Sequence, residues 1–355
     1  MHLSSHMNII RFLLRRFVPV AVAGLAAVPL PGQVTVKSNP VGVLSGQVNR
    51  GGAGLAFPLI AEDLFVGIVS ANTGTALTFA PDDGNLGALL AAEGRYYVEV
   101  VTGALEGERF DLDAGATVAA AGPTLALGFG GNTFSTLPTL APDALVGARC
   151  VLRPHVTLAG VQAMFSPALR GHNLFLIADG VHVLEANALR FYFLRGDNAT
   201  WNGVGSSSDQ RNKVIPPDAS VILDLKSGHK QWLQQGVVRV NAFRKNLKSG
   251  LQSFASGYPQ DTSPVDLGAF VDVGTPAANR WTGSNLFLFA DQFDVLFSDR
   301  KAIQLYYLRG DGTSWRSLRS SANFANQTIV GATDMVVVRR LRPDPNYLIL
   351  RPYDL

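Results

Sequence analysis

The chain has 355 residues, of which 47% are hydrophobic and 16% charged, so it carries enough apolar material for packed cores and is not of the disordered class. The formal net charge of +3 comes from Arg11, Arg15 and Arg16, because the rest of the chain contains 27 basic and 27 acidic side chains. Without a net basic excess the chain lacks the charge that neutralises phosphates, which excludes nucleic acid as an expected partner.

The first 32 residues have the pattern of a secretory signal peptide. Arg15 and Arg16 precede an apolar stretch that begins at residue 17 and is broken by Pro29 and Pro31. This stretch is too short for a stable membrane span, which needs roughly 20 residues. We therefore predict a signal peptide at residues 1–32 that is cleaved, and export to the periplasm, the cell surface or the extracellular space. We expect no transmembrane span in the mature chain.

Residues 66–155 are predicted to form a small β-domain of their own. Short apolar or alternating runs are separated by Gly, Asp and Pro, which is typical of closely spaced strands. Helical character is limited to short stretches at residues 85–93 and 244–249. The predicted strands of this domain are residues 77–79, 96–101, 109–112, 124–127 and 148–152.

Two parts of the chain repeat each other. Residues 171–179 (GHNLFLIAD) match residues 283–291 (GSNLFLFAD) at an offset of 112. Residues 191–197 match residues 305–311 at an offset of 114, and Trp201 and Trp315 keep that offset. Such internal similarity indicates a duplicated structural unit.

The beginning of the second copy matches a segment near the N-terminus, and not the residues directly before the first copy. We therefore predict an all-β protein with two duplicated β-sandwich or barrel-like units. The first unit is residues 33–65 plus 156–235, interrupted by a small β-barrel domain at residues 66–155. The second unit is residues 236–355. Residues 41–64 are then expected to pair with the later part of the first unit, and not with residues 96–101.

Three motifs resemble those of a known group of proteins. These are residues 96–107 (YYVEVVTGALEG) followed by 110–112, the aromatic strands that run into Trp201 and Trp315, and the turn at residues 258–261 (YPQD). They are similar to segments of an uncharacterised family of exported, β-rich bacterial proteins with internal repeats and no assigned function. The resemblance implies export and a β fold, and it carries over no catalytic residue.

The residue types and spacings of known catalytic sites are missing. Apart from His2 and His6 in the predicted signal segment, no two of the six histidines have metal-ligand spacing. Cys150 is the single cysteine, which excludes an intrachain disulfide and favours a small core residue. We therefore predict no enzyme of a motif-defined class, no cofactor and no metal site. A carboxylate-dependent hydrolase that draws two acids from distant strands stays open as an alternative.

Two further patterns have structural explanations. Asp111 and Asp113 look like the start of a calcium loop, but the full set of oxygen ligands is missing. The tripeptide Arg-Gly-Asp occurs at residues 195–197 and again at residues 309–311. An arginine that ends a strand before a Gly-Asp turn explains both copies without adhesion.

Trp201 and Trp315 are the candidate ligand-binding residues. Equivalent tryptophans in two repeats are either shared core or platforms on which sugar rings stack. The leading hypothesis is an exported, non-catalytic structural or interaction protein of the periplasm, envelope or extracellular space, with an envelope protein or a polysaccharide as partner. The alternative is a carbohydrate-binding module that uses these two rings.

Overall fold

The computed structural model describes residues 40–353, except residues 93, 130–136, 138, 186–187, 272–279 and 300–301. The predicted signal peptide lies outside the described residues. Short β-strands form nearly all of the regular structure in the described part of the chain, so the predicted all-β class is confirmed. None of the helices found there is long and apolar enough to cross a membrane.

The regular elements are mostly strands of two to eight residues. Among the described residues there are two short α-helices, α1 (Ala114–Ala120) and α2 (Leu158–Ala163), together with 3-10 turns at Pro81–Asp83, Leu86–Leu89 and Phe287–Phe289. The strands are β1 (Val41–Val48), β2 (Gly51–Ala56), β3 (Phe65–Ile68), β4 (Ala71–Asn72), β5 (Ala76–Thr78), β6 (Tyr96–Val100), β7 (Arg109–Leu112), β8 (Thr124–Gly128), β9 (Arg149–Pro154), β10 (Val156–Thr157), β11 (Phe165–Ser166), β12 (Gly180–Glu185), β13 (Ala188–Leu194), β14 (Trp201–Gly203), β15 (Val214–Ile215), β16 (Ser220–Leu225), β17 (Lys230–Val237), β18 (Phe243–Leu247), β19 (Gly250–Phe254), β20 (Gln292–Leu296), β21 (Ile303–Leu308), β22 (Trp315–Ser317), β23 (Met335–Arg340) and β24 (Asp344–Ile349).

The first sheet pair consists of a five-stranded sheet in the order β14-β13-β12-β16-β2 and a three-stranded sheet in the order β1-β17-β11. Side chains of both sheets form one core, in which Leu55, Val221 and Trp232 are buried. Strands β1 and β2 both pair with strands that follow much later in the chain. Val41 lies opposite Val237 in β17, and Leu55 lies opposite Val221 in β16.

The second sheet pair consists of a five-stranded sheet in the order β19-β23-β20-β21-β22 and a two-stranded sheet of β18 and β24. Its core is separate from the first and is rich in aromatic rings, among them Phe293, Trp315 and Tyr347. The two five-stranded sheets have the same strand order, with β2, β16, β12, β13 and β14 in the places of β19, β23, β20, β21 and β22. The pairing of β1 with β17 has its counterpart in the pairing of β18 with β24.

Residues 65–154 form a third body, a seven-stranded sheet in the order β3-β9-β6-β7-β8-β5-β4 with its own core. Strands β3 and β4 lie at the two ends of this sheet, although only two residues of chain separate them. Strand β3 pairs with β9, while β4 pairs with β5. In chain order, β3 and β9 are the first and last strands of this body, and they are neighbours in the sheet, with Phe65 opposite Leu152.

The two helical expectations have different outcomes. Residues 85–93 contain the 3-10 turn Leu86–Leu89. The prediction of helical character at residues 244–249 is wrong, because β18 covers most of them. Helix α1 was not expected. It begins after Asp113, whose carboxylate accepts a hydrogen bond from the backbone N–H of Ala116. Asp113 is therefore a helix N-cap, which explains the calcium-like pattern without an ion.

Candidate functional site

Buried charged residues from all three sheet bodies meet in one place, which we call the junction cluster. The seven-stranded sheet contributes Glu99, Arg109 and Arg153, and the first sheet pair contributes Asp218. The link into β18 and that strand itself contribute Arg239, Asn241 and Lys245. All seven residues are buried. Charges are rarely buried to this degree unless they are paired, so the partners of each decide what the cluster does.

Glu99 lies at the centre of one half of the cluster. Its carboxylate pairs with the guanidinium groups of Arg153 and Arg239 and accepts a 3.2 Å hydrogen bond from Nδ2 of Asn241. Arg153 also donates from Nε to Asp63 at 2.6 Å. The guanidinium of Arg239 lies 4.9 Å from the ring centroid of Phe243. One carboxylate thus ties the seven-stranded sheet to the segment that connects the two sheet pairs.

Asp218 lies at the centre of the other half. Lys245 donates to its carboxylate at 2.6 Å, and Arg109 lies 3.4 Å from it. Burial alone would raise the pKa of Asp218, but the cationic groups of Arg109 and Lys245 outweigh burial and hold that pKa below its ordinary value. Asp218 is therefore ionised at neutral pH and joins all three bodies through one carboxylate.

The turn at residues 101–108 completes the junction from the side of the seven-stranded sheet. Gly107 has φ +86°, and a Cβ atom on it would lie 2.5 Å from Cα of Phe243, so glycine is required for this approach. The backbone carbonyl of Gly107 accepts from the N–H of Arg244 at 2.9 Å. This turn lies within the segment on which the resemblance to the exported family was based. The carboxylate of Glu108 lies 3.8 Å from Nε of Arg244, and that of Glu106 accepts from the backbone N–H of Ala242 at 3.3 Å. The junction cluster therefore has the geometry of a structural joint.

Each sheet pair also carries an exposed apolar loop directly before its strand β12 or β20. We call these the apolar loops. In the first, Leu174, Phe175, Leu176 and Ile177 are 58%, 39%, 72% and 38% exposed. In the second, Leu286, Phe287, Leu288 and Phe289 are 64%, 38%, 53% and 63% exposed. Eight large apolar side chains at equivalent positions in two loops form a surface of the kind that marks contact sites.

Hydrogen bonds of the same kind hold both apolar loops in place. Asp179, which ends the first loop, is buried and accepts from the backbone N–H groups of Arg170 and Lys226 at 2.7 Å each. Asp291 ends the second loop and accepts from the N–H groups of Thr282 and Leu341 at 2.7 Å each. The exposure of the apolar side chains is therefore a feature of firmly held loops.

A glycine begins each apolar loop where it passes the neighbouring turn. A Cβ on Gly171 would lie 1.8 Å from the carbonyl oxygen of Arg195, and a Cβ on Gly283 would lie 1.9 Å from that of Arg309. We expect Gly171→Ala or Gly283→Ala to lower the free energy of unfolding by about 2–3 kcal/mol, because the backbone must move. Urea unfolding measures this. Gly160→Ala is the control, since its Cβ meets only ordinary contacts, and an equal loss there would contradict the prediction.

Asp294 lies on the outward face of β20, opposite Leu305 and Val337. Its Oδ1 is buried without a hydrogen-bond partner, and burial raises the pKa of Asp294 from 3.8 to about 6, with Arg339 opposing the shift. The folded state therefore binds a proton that the unfolded chain releases, so we expect the free energy of unfolding to rise as the pH falls from about 7 to about 4.

Asp294→Asn is expected to remove this pH dependence and to raise stability at pH 8 by about 1 kcal/mol, after allowance for partial exposure. Urea unfolding at pH 5 and pH 8 measures both effects. Asp82→Asn, at an exposed position, is the control. Stability of the wild type that increases from pH 5 to pH 8, with no change in Asp294→Asn, would show that another group dominates.

Trp201 and Trp315, the two candidate stacking residues, are core residues. Both side chains are 0% exposed. Nε1 of Trp201 donates to Gln162 at 3.0 Å, and Nε1 of Trp315 donates to the carbonyl of Ala269 at 2.6 Å. The ring of Trp315 stacks on Phe293 with centroids 4.6 Å apart. Neither indole therefore presents a face on which a sugar could stack. The burial of both rings contradicts the prediction that they bind a carbohydrate.

The other residues singled out in the sequence also have structural partners. The carboxylates of Asp197 and Asp311 each accept hydrogen bonds from the backbone N–H groups of the residues at i+2 and i+3. Both Arg-Gly-Asp copies therefore stabilise turns. Cys150 is buried, and burial raises the pKa of its thiol to about 12. Among the described residues, no group of three or more His, Cys, Asp or Glu side chains is placed to hold a metal ion.

The sequence of the apolar loops indicated the repeat, but the exposure of their side chains was not predicted. Four consecutive apolar residues are also typical of a fully buried strand, so the sequence carries no signal that distinguishes an exposed run from a covered one. No protein-family model matches the chain, and no curated protein or solved structure is significantly similar to it.

Proposed function

We propose that this chain is an exported, non-catalytic structural or interaction protein of the periplasm, envelope or extracellular space, and that it makes contact through its two apolar loops. The observation that carries the proposal is the exposure of the same apolar run in both loops, residues 174–177 and 286–289. Because the loops are fastened by buried aspartates, the apolar side chains are not needed to hold them. Exposed apolar area of this extent disfavours a protein that acts alone in water.

We further infer that the two sheet pairs are the duplicated units of the sequence, the first interrupted by residues 66–155. The identical strand order of the two five-stranded sheets supports this. So does the pairing of β1 and β2 with β17 and β16, which follow the interruption. Duplication gives each molecule two copies of one contact element, and two linked contacts bind more tightly than either alone.

The junction cluster supports a non-catalytic role. The carboxylates of Glu99 and Asp218 are neutralised by buried cations within the protein. Such pairs fix geometry, and a firm joint between three bodies would keep both contact loops in a constant arrangement.

Cell fractionation with N-terminal sequencing tests the proposal. We expect the mature chain to begin between about residue 28 and residue 34 and to fractionate with the envelope. Leu176→Ser with Leu288→Ser is expected to release the exported chain into the soluble fraction. Leu233→Ser with Leu251→Ser, at exposed strand positions outside the loops, is the matched control. An intact N-terminus on cytoplasmic protein would contradict export, and unchanged fractionation of the loop variant would contradict contact through the loops.

A further inference from the structure

We propose that the apolar loops dock this protein on an anionic lipid surface, into which residues 174–177 and 286–289 insert. The inference rests on the proposed function, because it names the partner that the loops contact. Three observations carry it: the shape of the loops, the hydrogen bonding of their backbone and the charge beside them.

The shape of the loops suits a fluid partner. All four consecutive side chains of each loop are exposed by more than a third, although the ring of Phe175 also contacts that of Phe193, with centroids 6.2 Å apart. The turns are narrow, since the N–H of Ile177 bonds to the carbonyl of Leu174 at 3.1 Å and the N–H of Phe289 bonds to that of Leu286 at 3.0 Å. A protein groove covers one face of such a turn, whereas acyl chains close around all of its side chains.

Part of the backbone of each loop is already hydrogen-bonded within the protein. The carbonyl of Leu174 accepts from the N–H groups of Ile177 and Ala178, and the N–H of Leu174 donates to Nδ1 of His172. In the second loop the N–H of Leu286 donates to Oγ of Ser284. A backbone group without a partner costs several kcal/mol in hydrocarbon, so these internal bonds lower the cost of insertion.

The charge beside the loops complements anionic headgroups. Asn173, at the start of the first loop, accepts from Nε of Arg195 at 3.3 Å, which places this half-exposed guanidinium at the loop's base. A Cβ on Gly310 would lie 3.3 Å from Oδ1 of Asn285, so Arg309 stands next to the base of the second loop. Residues 149–355, which contain both loops, carry 23 basic and 16 acidic side chains. The acids that follow these arginines, Asp197 and Asp311, accept hydrogen bonds from backbone N–H groups of their own turns. Apolar tips beside half-exposed arginines, in a part of the chain with a basic excess, are the arrangement that interfacial binding favours.

The experiment is vesicle co-sedimentation of the full chain. Vesicles of phosphatidylcholine with phosphatidylglycerol are compared with vesicles of phosphatidylcholine alone, at low and at high salt. Three proteins are tested: wild type, Leu176→Ser with Leu288→Ser, and the control Leu233→Ser with Leu251→Ser. The N-terminal apolar segment is the same in all three, so differences between them report on the loops. Circular dichroism and thermal unfolding establish that each protein is folded.

We expect wild type and control to bind the anionic vesicles equally, more weakly at high salt. The loop variant is expected to bind about a hundredfold more weakly, since each of its two lost leucines removes burial worth about a factor of ten. Equal vesicle binding by all three folded proteins would overturn the lipid proposal.

Sedimentation equilibrium without lipid separates the two proposals. If no protein binds vesicles and the wild type self-associates while the loop variant does not, the lipid proposal fails and a contact role for the loops stands. If neither vesicle binding nor self-association depends on the loops, and envelope fractionation is also unchanged, both proposals fail.

Discussion

Glu99→Ala is expected to lower the free energy of unfolding by about 3–5 kcal/mol, because it leaves the guanidinium of Arg239 buried without its carboxylate. Arg239 is 1% exposed and lies on the segment between the two sheet pairs. Arg153 keeps its bond to Asp63 and is affected less. Equilibrium unfolding in urea measures the loss, with Glu62→Ala at an exposed position as the matched control.

A compensating variant separates loss of the ion pairs from loss of packing. Glu99→Leu with Arg153→Met and Arg239→Met replaces the charges together by apolar groups, which is expected to recover most of the stability. A loss below about 1 kcal/mol in Glu99→Ala, equal to that of an exposed pair, would mean that Arg239 reaches water and that the junction cluster does not hold the three bodies together.

Trp201→Ala and Trp315→Ala are each expected to cost about 3–5 kcal/mol of stability, because each leaves a large cavity in a separate aromatic core. Thermal and urea unfolding measure this, and Leu233→Ala at an exposed strand position is the control. Retardation in a polysaccharide affinity gel is measured on the same proteins. Variants that stay folded and lose retardation would show that these rings bind the polysaccharide, contrary to what their burial indicates.

Features that depend on local pattern were predictable from the sequence. The strand at residues 109–112 was predicted at the bounds of β7, because its ends are marked by Gly and Asp and its residues alternate. The pairing of residues 41–56 with a distant part of the chain also followed from pattern, since the repeat aligned them with residues of the second copy. Periodicity and turn residues predict strands and their ends over a few residues, and internal repeats predict pairing between distant parts of the chain.

Features that depend on tertiary contact were not predictable. Residues 243–247 alternate in burial along β18. The Arg, Lys and Leu residues of 244–249 favour a helix, but pairing with β24 overrides that propensity. Glu99 stands in a run of apolar residues, and only the fold shows that two arginines from distant segments meet it. The exposure of residues 174–177 is equally non-local, because an apolar run reads the same whether it is covered or not.

Because β3 pairs with β9, we expect the body at residues 65–154 to gain its structure before the first sheet pair as the chain is made. Strands β1 and β2 have no partners until β16 and β17 exist, so they stay unpaired while the next 160 or so residues follow. The body at residues 65–154 can close first, and its closure brings residues 64 and 155 together. The loop of 163 residues between β2 and β16 then behaves as one of about 75 residues. At about 0.6 kcal/mol for each halving, this shortening favours the late pairing by roughly 0.7 kcal/mol. Folding of the body at residues 65–154 thus favours the later pairing of β1 and β2 with β17 and β16.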